Sequence, residues 1–120
     1  MENTVKKIIF LCLLLCGMSA TAATLTTNNY IITINANCGE GDVSCSDVTY
    51  EGVSKKSGNS IKLQGKTWHT LCADGVTPCR FRGYIFQSGS YRYLVHQSGL
   101  FQVIQDKNNV LVEENGTWVY

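Results

Sequence analysis

The chain has 120 residues, room for one ordinary domain but not for two. Ten Lys/Arg against nine Asp/Glu leave a formal charge of +1, without the positive excess that a dedicated nucleic-acid binder carries. With 44% hydrophobic and 16% charged residues, one proline and eleven glycines, it is neither a disordered charged tail nor a collagen-like or proline-rich segment.

Lys6 and Lys7 precede an apolar run from Ile8 to Cys16. That run is far shorter than the roughly 20 residues a membrane-spanning helix needs, and it suits the h-region of a signal peptide. Ala20-Thr21-Ala22 offers small residues at the two positions a signal peptidase reads. Residues 1–22 therefore read as a signal peptide, with Ala23 the first residue of an exported domain. Leu precedes both Cys12 and Cys16, where a lipoprotein would need a small residue. Residues 23–120 contain no second apolar stretch long enough to span a bilayer, so stable membrane insertion is not expected. The expected location is the periplasm or the medium. Both methionines lie in the leader, which removes thioether ligands for copper or haem. Residues 23–120 carry equal numbers of basic and acidic side chains, so any attraction for a charged partner must be local.

Four cysteines remain, Cys38, Cys45, Cys72 and Cys79, an even set that reads as two disulfides in an exported domain of this size. The two pairs have identical spacing, and each interval contains an acidic residue followed by glycine, Glu40-Gly41 and Asp74-Gly75. Those glycines can take the positive φ of a tight loop. Local pairing, Cys38–Cys45 and Cys72–Cys79, is therefore expected among the three possible connectivities. Chain entropy assigns about 2.5 kcal/mol to each closed loop. A four-cysteine zinc site would bring its ligands closer in sequence, and Glu40, Asp42 and Asp74 lack the alternating oxygen spacing of a calcium loop. No metal or other cofactor is expected.

The strand candidates follow in order. Tyr30–Ile34 is rich in β-branched and aromatic residues, and Val48–Glu51, Ser60–Gln64 and Lys66–Leu71 come next, separated by the polar turn Lys55-Lys56-Ser57-Gly58-Asn59. After Cys79, Phe81–Gln87, Tyr91–His96, Leu100–Gln105, Val110–Glu113 and Thr117–Tyr120 form a meander. The separators, Ser88-Gly89, Gln97-Ser98-Gly99, Asp106-Lys107-Asn108-Asn109 and Asn115-Gly116, are turn chemistry. No window shows helical periodicity. The pattern predicts an all-β domain of about eight short strands, a small antiparallel barrel or sandwich stapled by disulfides.

Residues that could carry catalysis are few. His69 and His96 each sit in a predicted strand, nothing marks a serine as activated, and the acids fall mostly at turns or chain ends. No enzyme is expected. One local concentration stands out: Arg80 leading into one predicted strand with Arg82, Tyr84 and Phe86, and Tyr91, Arg92, Tyr93 and His96 in the next. Strict alternation puts Arg80 and Arg82 on the face of Tyr84 and Phe86. It also puts Tyr91 and Tyr93 opposite Arg92 and His96. Arginine and aromatic side chains are enriched where proteins meet partners, and guanidinium forks grip carboxylates such as those of peptidoglycan stems. The competing reading has the aromatics filling a small barrel, with arginine stems covering its rim.

The run Gly65-Lys66-Thr67-Trp68-His69-Thr70-Leu71-Cys72-Ala73-Asp74-Gly75-Val76-Thr77-Pro78-Cys79-Arg80-Phe81-Arg82-Gly83-Tyr84, with the Cys38-to-Cys45 segment and Val48-Thr49-Tyr50, resembles the Fels-1 prophage protein-like family. Those are small exported proteins of enteric bacteria and their prophages. The resemblance implies an envelope location and brings no catalytic residue or cofactor. Ser88-Gly89-Ser90-Tyr91-Arg92-Tyr93 followed by Leu100-Phe101-Gln102-Val103 is similar to the small β-barrel lysozyme inhibitors of Gram-negative envelopes, although the lysine-glycine segment of those proteins is missing. The expected function is an exported binding module whose partner is another envelope protein or a cell-wall hydrolase. Inhibition of such a hydrolase or of a toxin is the alternative.

Overall fold

The computed structural model describes residues 21–39 and 41–120; most of the expected signal peptide, residues 1–20, and the turn acid Glu40 lie outside them. Nine strands make up one sheet: β1 (Thr21–Thr26), β2 (Tyr30–Ala36), β3 (Val48–Ser54), β4 (Ser60–Leu71), β5 (Pro78–Ser88), β6 (Tyr91–His96), β7 (Leu100–Gln105), β8 (Asn109–Asn115) and β9 (Thr117–Val119). Every pairing is antiparallel, in the order β8-β7-β6-β5-β4-β3-β2-β1-β9. The domain is all-β as expected, and there is no helix among the described residues.

That order decides between barrel and sandwich. The two edge strands, β8 and β9, are consecutive in the chain with only Gly116 between them. The sheet must therefore curl until its two edges meet. A Cβ at Gly116 would collide with the Thr26 carbonyl, so the corner needs glycine. The Gly116 amide donates to the Gly99 carbonyl at 2.9 Å. Across the remaining gap, Glu114 of β8 accepts from the Asn29 amide at 3.1 Å and from its side-chain amide at 2.7 Å. Burial pushes the Glu114 carboxyl up, and the hydrogen bonds led by Asn29 outweigh it, leaving the group below the usual carboxylate range. The result is a nearly closed barrel.

Two strand expectations need correction. Ser60–Gln64 and Lys66–Leu71 are one continuous strand, β4. Gly65, which falls between the two candidates, continues the ladder opposite Phe86, where a Cβ would strike the Ile85 carbonyl and the Phe86 ring. Strand β1 was not anticipated, because Ala-Thr-Leu-Thr presents no apolar run. It is held by fully buried Leu25 and by pairing to β2 on one side and β9 on the other. Tertiary pairing overrides weak local propensity here.

The interior is built from alternate residues. Leu25, Ile32, Ile34, Val48, Tyr50, Phe86, Val95 and Phe101 are all essentially fully buried. Each such side chain contributes about 1.5–3 kcal/mol of transfer free energy. Because strand direction alternates, the turns after β1, β3, β5 and β7 share one end of the strands, and the connections after β2, β4 and β6 share the other. The second set contains both cysteine loops. Cys38–Cys45 and Cys72–Cys79 are bonded, the local connectivity expected from the spacing. The first loop folds over the end of the core, with Cys45 buried and tied to Thr67 of β4 by reciprocal backbone and hydroxyl bonds. The second sits at the exposed tip of the long β4–β5 hairpin.

Candidate binding site

The arginine-aromatic concentration folds into three separate places. The first depends on an irregularity in β5. Trp68 pairs with Gly83 and the next residue, His69, pairs with Phe81, so Arg82 is one extra residue on the β5 side, a β-bulge. Gly83 has φ +144°, and a Cβ there would meet the Val95 carbonyl and the His96 Cα. Only glycine fits. The bulge breaks the alternation that would have placed Arg82 beside Tyr84 and Phe86. Those two side chains turn to the core, whereas the Arg82 guanidinium lies over the Trp68 ring, 5.3 Å from its centroid.

His96, paired with Gly83 from the other side, brings its ring edge-on to Trp68 at 5.1 Å. Trp68, Arg82 and His96 thus form one cluster across β4, β5 and β6. Arg80, Arg82 and His96 line a shallow depression of 320 Å³ together with Phe81, Gln97 and Ser98. Among the described residues neither guanidinium has a hydrogen-bonding side chain or carbonyl as partner, so both forks face outward with their donors free.

The imidazole is held by a polar ladder. Gln102 donates its amide to Glu113 at 2.8 Å, so its carbonyl oxygen is the group facing His96 Nε2 at 2.8 Å. His96 Nε2 therefore carries a proton, and in the neutral ring Nδ1 is left as an acceptor. Glu113, Gln102, His96, Trp68 and Arg82 make a continuous chain of contacts across five strands. Such a ladder immobilises the ring that borders the depression. His69, the other histidine, is half-buried and packs edge-on against Phe81 at 5.5 Å.

The remaining members go elsewhere. Arg92 donates to the Lys107 carbonyl at 3.1 Å, bracing the β7–β8 turn at the far end of β6 from His96. Tyr91 and Tyr93 face the barrel interior with Tyr30, Tyr50 and Phe101 along a cavity of 290 Å³. Alternation within β6 holds, so the tyrosines are separated from Arg92 and His96 as expected. Of the six proposed binding residues, the structure groups Arg80, Arg82 and His96, and separates Tyr91 with Tyr93 and Arg92 from them.

No family model, curated protein or solved structure matches the chain.

Sequence reasoning names Trp68, Gln102 and Glu113 within strands or motifs but not as site residues. Gly83 was the available signal, since a glycine inside a strand marks a bulge or a close backbone approach. Tyr50 and Gly52 carried the same kind of signal for the cavity. A Cβ at Gly52 would overlap the Tyr50 ring and hydroxyl, so the glycine makes room for them.

Proposed function

We propose that the chain is an exported binding module, released outside the cytoplasm after removal of residues 1–22, whose patch of Trp68, Arg80, Arg82 and His96 grips a carboxylate-bearing partner. The observation that carries this reading is the pair of outward guanidinium groups beside an aromatic side chain, in a domain whose charges cancel overall. A guanidinium binds a carboxylate through two parallel hydrogen bonds, and the Trp68 ring beneath Arg82 holds that fork in place. The two disulfides are consistent with an oxidising compartment. Partners of fitting chemistry are a peptidoglycan stem, another envelope protein or a cell-wall hydrolase. No catalytic step is assigned to the patch. Membership of the Fels-1 prophage protein-like family belongs to the same proposal and is supported by the two cysteine segments.

A second reading, inhibition of a cell-wall hydrolase, is favoured by the turn Ser88-Gly89-Ser90. It is exposed, carries Gly89 at φ +59°, and leads into Tyr91 at the rim of the barrel. One experiment separates the two readings. Protein purified from the periplasm, whose intact mass should begin at Ala23, is titrated in ¹⁵N-NMR with a soluble peptidoglycan stem peptide and, separately, with lysozyme. The stem peptide should shift the Trp68 indole and the Arg82 and His96 amides. Arg80→Gln with Arg82→Gln should abolish those shifts and change stability by no more than about 0.5 kcal/mol. Lysozyme-induced shifts confined to Ser88–Tyr91 would select the inhibitor reading. Silence at both places refutes both.

A further inference from the structure

A different feature of the fold goes beyond the outer patch. The barrel interior is not filled at the end that carries Tyr91: a cavity of 290 Å³ opens there, at the low end of the roughly 300–1,000 Å³ typical of ligand pockets. Its walls are mostly aromatic and aliphatic, joined by the polar side chains of Ser54 and Asn59, and no charged residue among the described residues lines it. Tyr50 is the most deeply buried of the tyrosines that line it. The ring lies 5.2 Å from Phe86, 5.5 Å from Tyr93 and 6.3 Å from Phe101, centroid to centroid, which fixes its orientation.

The hydroxyl of Tyr50 is the unusual group. The residue is only 2% exposed, yet its hydroxyl hydrogen-bonds to nothing among the described residues. It is not sealed either, since no fully enclosed side-chain oxygen or nitrogen among them lacks a partner. The hydroxyl therefore opens onto the cavity above Gly52, the residue that leaves space for it. A ligand oxygen at that position would exchange the hydroxyl's contact with solvent for a direct hydrogen bond, a net gain of about 1 kcal/mol.

We infer that this cavity is a binding site for a small, uncharged aromatic molecule bearing an oxygen acceptor, which takes a hydrogen bond from the Tyr50 hydroxyl. Size, aromatic walls and the lack of charge exclude ions and long chains, and the Tyr50 hydroxyl, on the most deeply buried of the tyrosines that line the cavity, selects an acceptor. Burial, with Tyr93 and Tyr30 adjacent, pushes the Tyr50 phenol well above its ordinary value, so it stays a proton donor throughout the physiological range.

The test uses three probes on the purified protein: acetophenone, ethylbenzene, which lacks the acceptor, and benzoate, which adds a charge. Acetophenone should shift the Gly52, Tyr93 and Val103 amides saturably. Ethylbenzene should bind about tenfold more weakly, the worth of one hydrogen bond, and benzoate should not bind. Tyr50→Phe should abolish the preference for acetophenone over ethylbenzene without abolishing ethylbenzene binding. Leu111→Trp, at an exposed wall position, should block every probe while the protein stays folded. Failure of acetophenone to bind, or an unchanged preference in Tyr50→Phe, overturns the proposal. So do concentration-dependent shifts of the same amides without probe, which would mean that a second copy occupies the cavity. None of these outcomes touches the reading of the Trp68 patch, whose reporters lie outside the cavity.

Discussion

The two disulfides have the same sequence separation, 7, and the chain-entropy argument gives each about 2.5 kcal/mol. The structure predicts that removing them will not cost the same. Cys45 is 7% exposed and belongs to the core, with Cys38 packed against it. Around it, the Thr67 amide donates to the Cys45 carbonyl at 2.8 Å and the Cys45 amide donates to Thr67 Oγ1 at 2.9 Å. Replacing both cysteines by alanine removes the entropic term and also buried sulfur from a packed site, which adds about 1–2 kcal/mol. The expected loss is about 4 kcal/mol. Cys79, by contrast, is exposed at a hairpin tip. That tip keeps its own turn bonds, Cys72 amide to Thr77 carbonyl at 2.8 Å and Gly75 amide to Cys72 carbonyl at 2.9 Å. Its loss is expected at or below about 2.5 kcal/mol, because the tip can fray without opening the barrel. Urea unfolding of Cys38→Ala/Cys45→Ala and Cys72→Ala/Cys79→Ala decides the matter, with m monitored for changes in the denatured state. Equal losses, or a larger loss for the second pair, would refute the assignment of the first loop to the core.

Gly83→Ala should cost at least about 3 kcal/mol, from a positive φ combined with a backbone collision, whereas Gly89→Ala, with a positive φ but open space around it, should cost about 1 kcal/mol. Urea midpoints compare them directly, and equal losses would mean that the bulge is dispensable. Asp74 accepts from the Thr77 hydroxyl and from the Thr77 and Val76 amides, both at 2.9 Å, and these bonds hold its carboxyl down from 3.8 to about 2. A depressed carboxylate favours the folded state above its unfolded value, and that contribution is lost as pH falls through about 2. The Asp74 carboxyl should titrate near 2 by NMR, and Asp74→Asn should flatten the pH dependence of the loop amides; a midpoint near 3.8 would show that the turn bonds do not form in solution.

The class of fold was written locally. Period-two alternation in Tyr30–Ile34, Tyr91–His96 and Leu100–Gln105 marks strands because one face of each must be buried, and turn residues mark where the chain reverses. Local disulfide pairing was legible for the same reason, since two cysteines separated by a glycine-bearing turn can meet without help from the rest of the chain. Three matters needed the tertiary structure. Strand β1 exists because two neighbours pair with it, which no propensity of Ala-Thr-Leu-Thr records. The choice of barrel over sandwich follows from which strand β9 meets, a contact between the two ends of the described chain. The site depended on one bulge: Arg82 lies one extra residue along β5, so its side chain joins Trp68 and His96 rather than the core-facing aromatics. Alternation sets faces only while register is unbroken, and register is a property of paired strands, so a glycine could mark the break at Gly83 while only the partner strands decided which side chains met there.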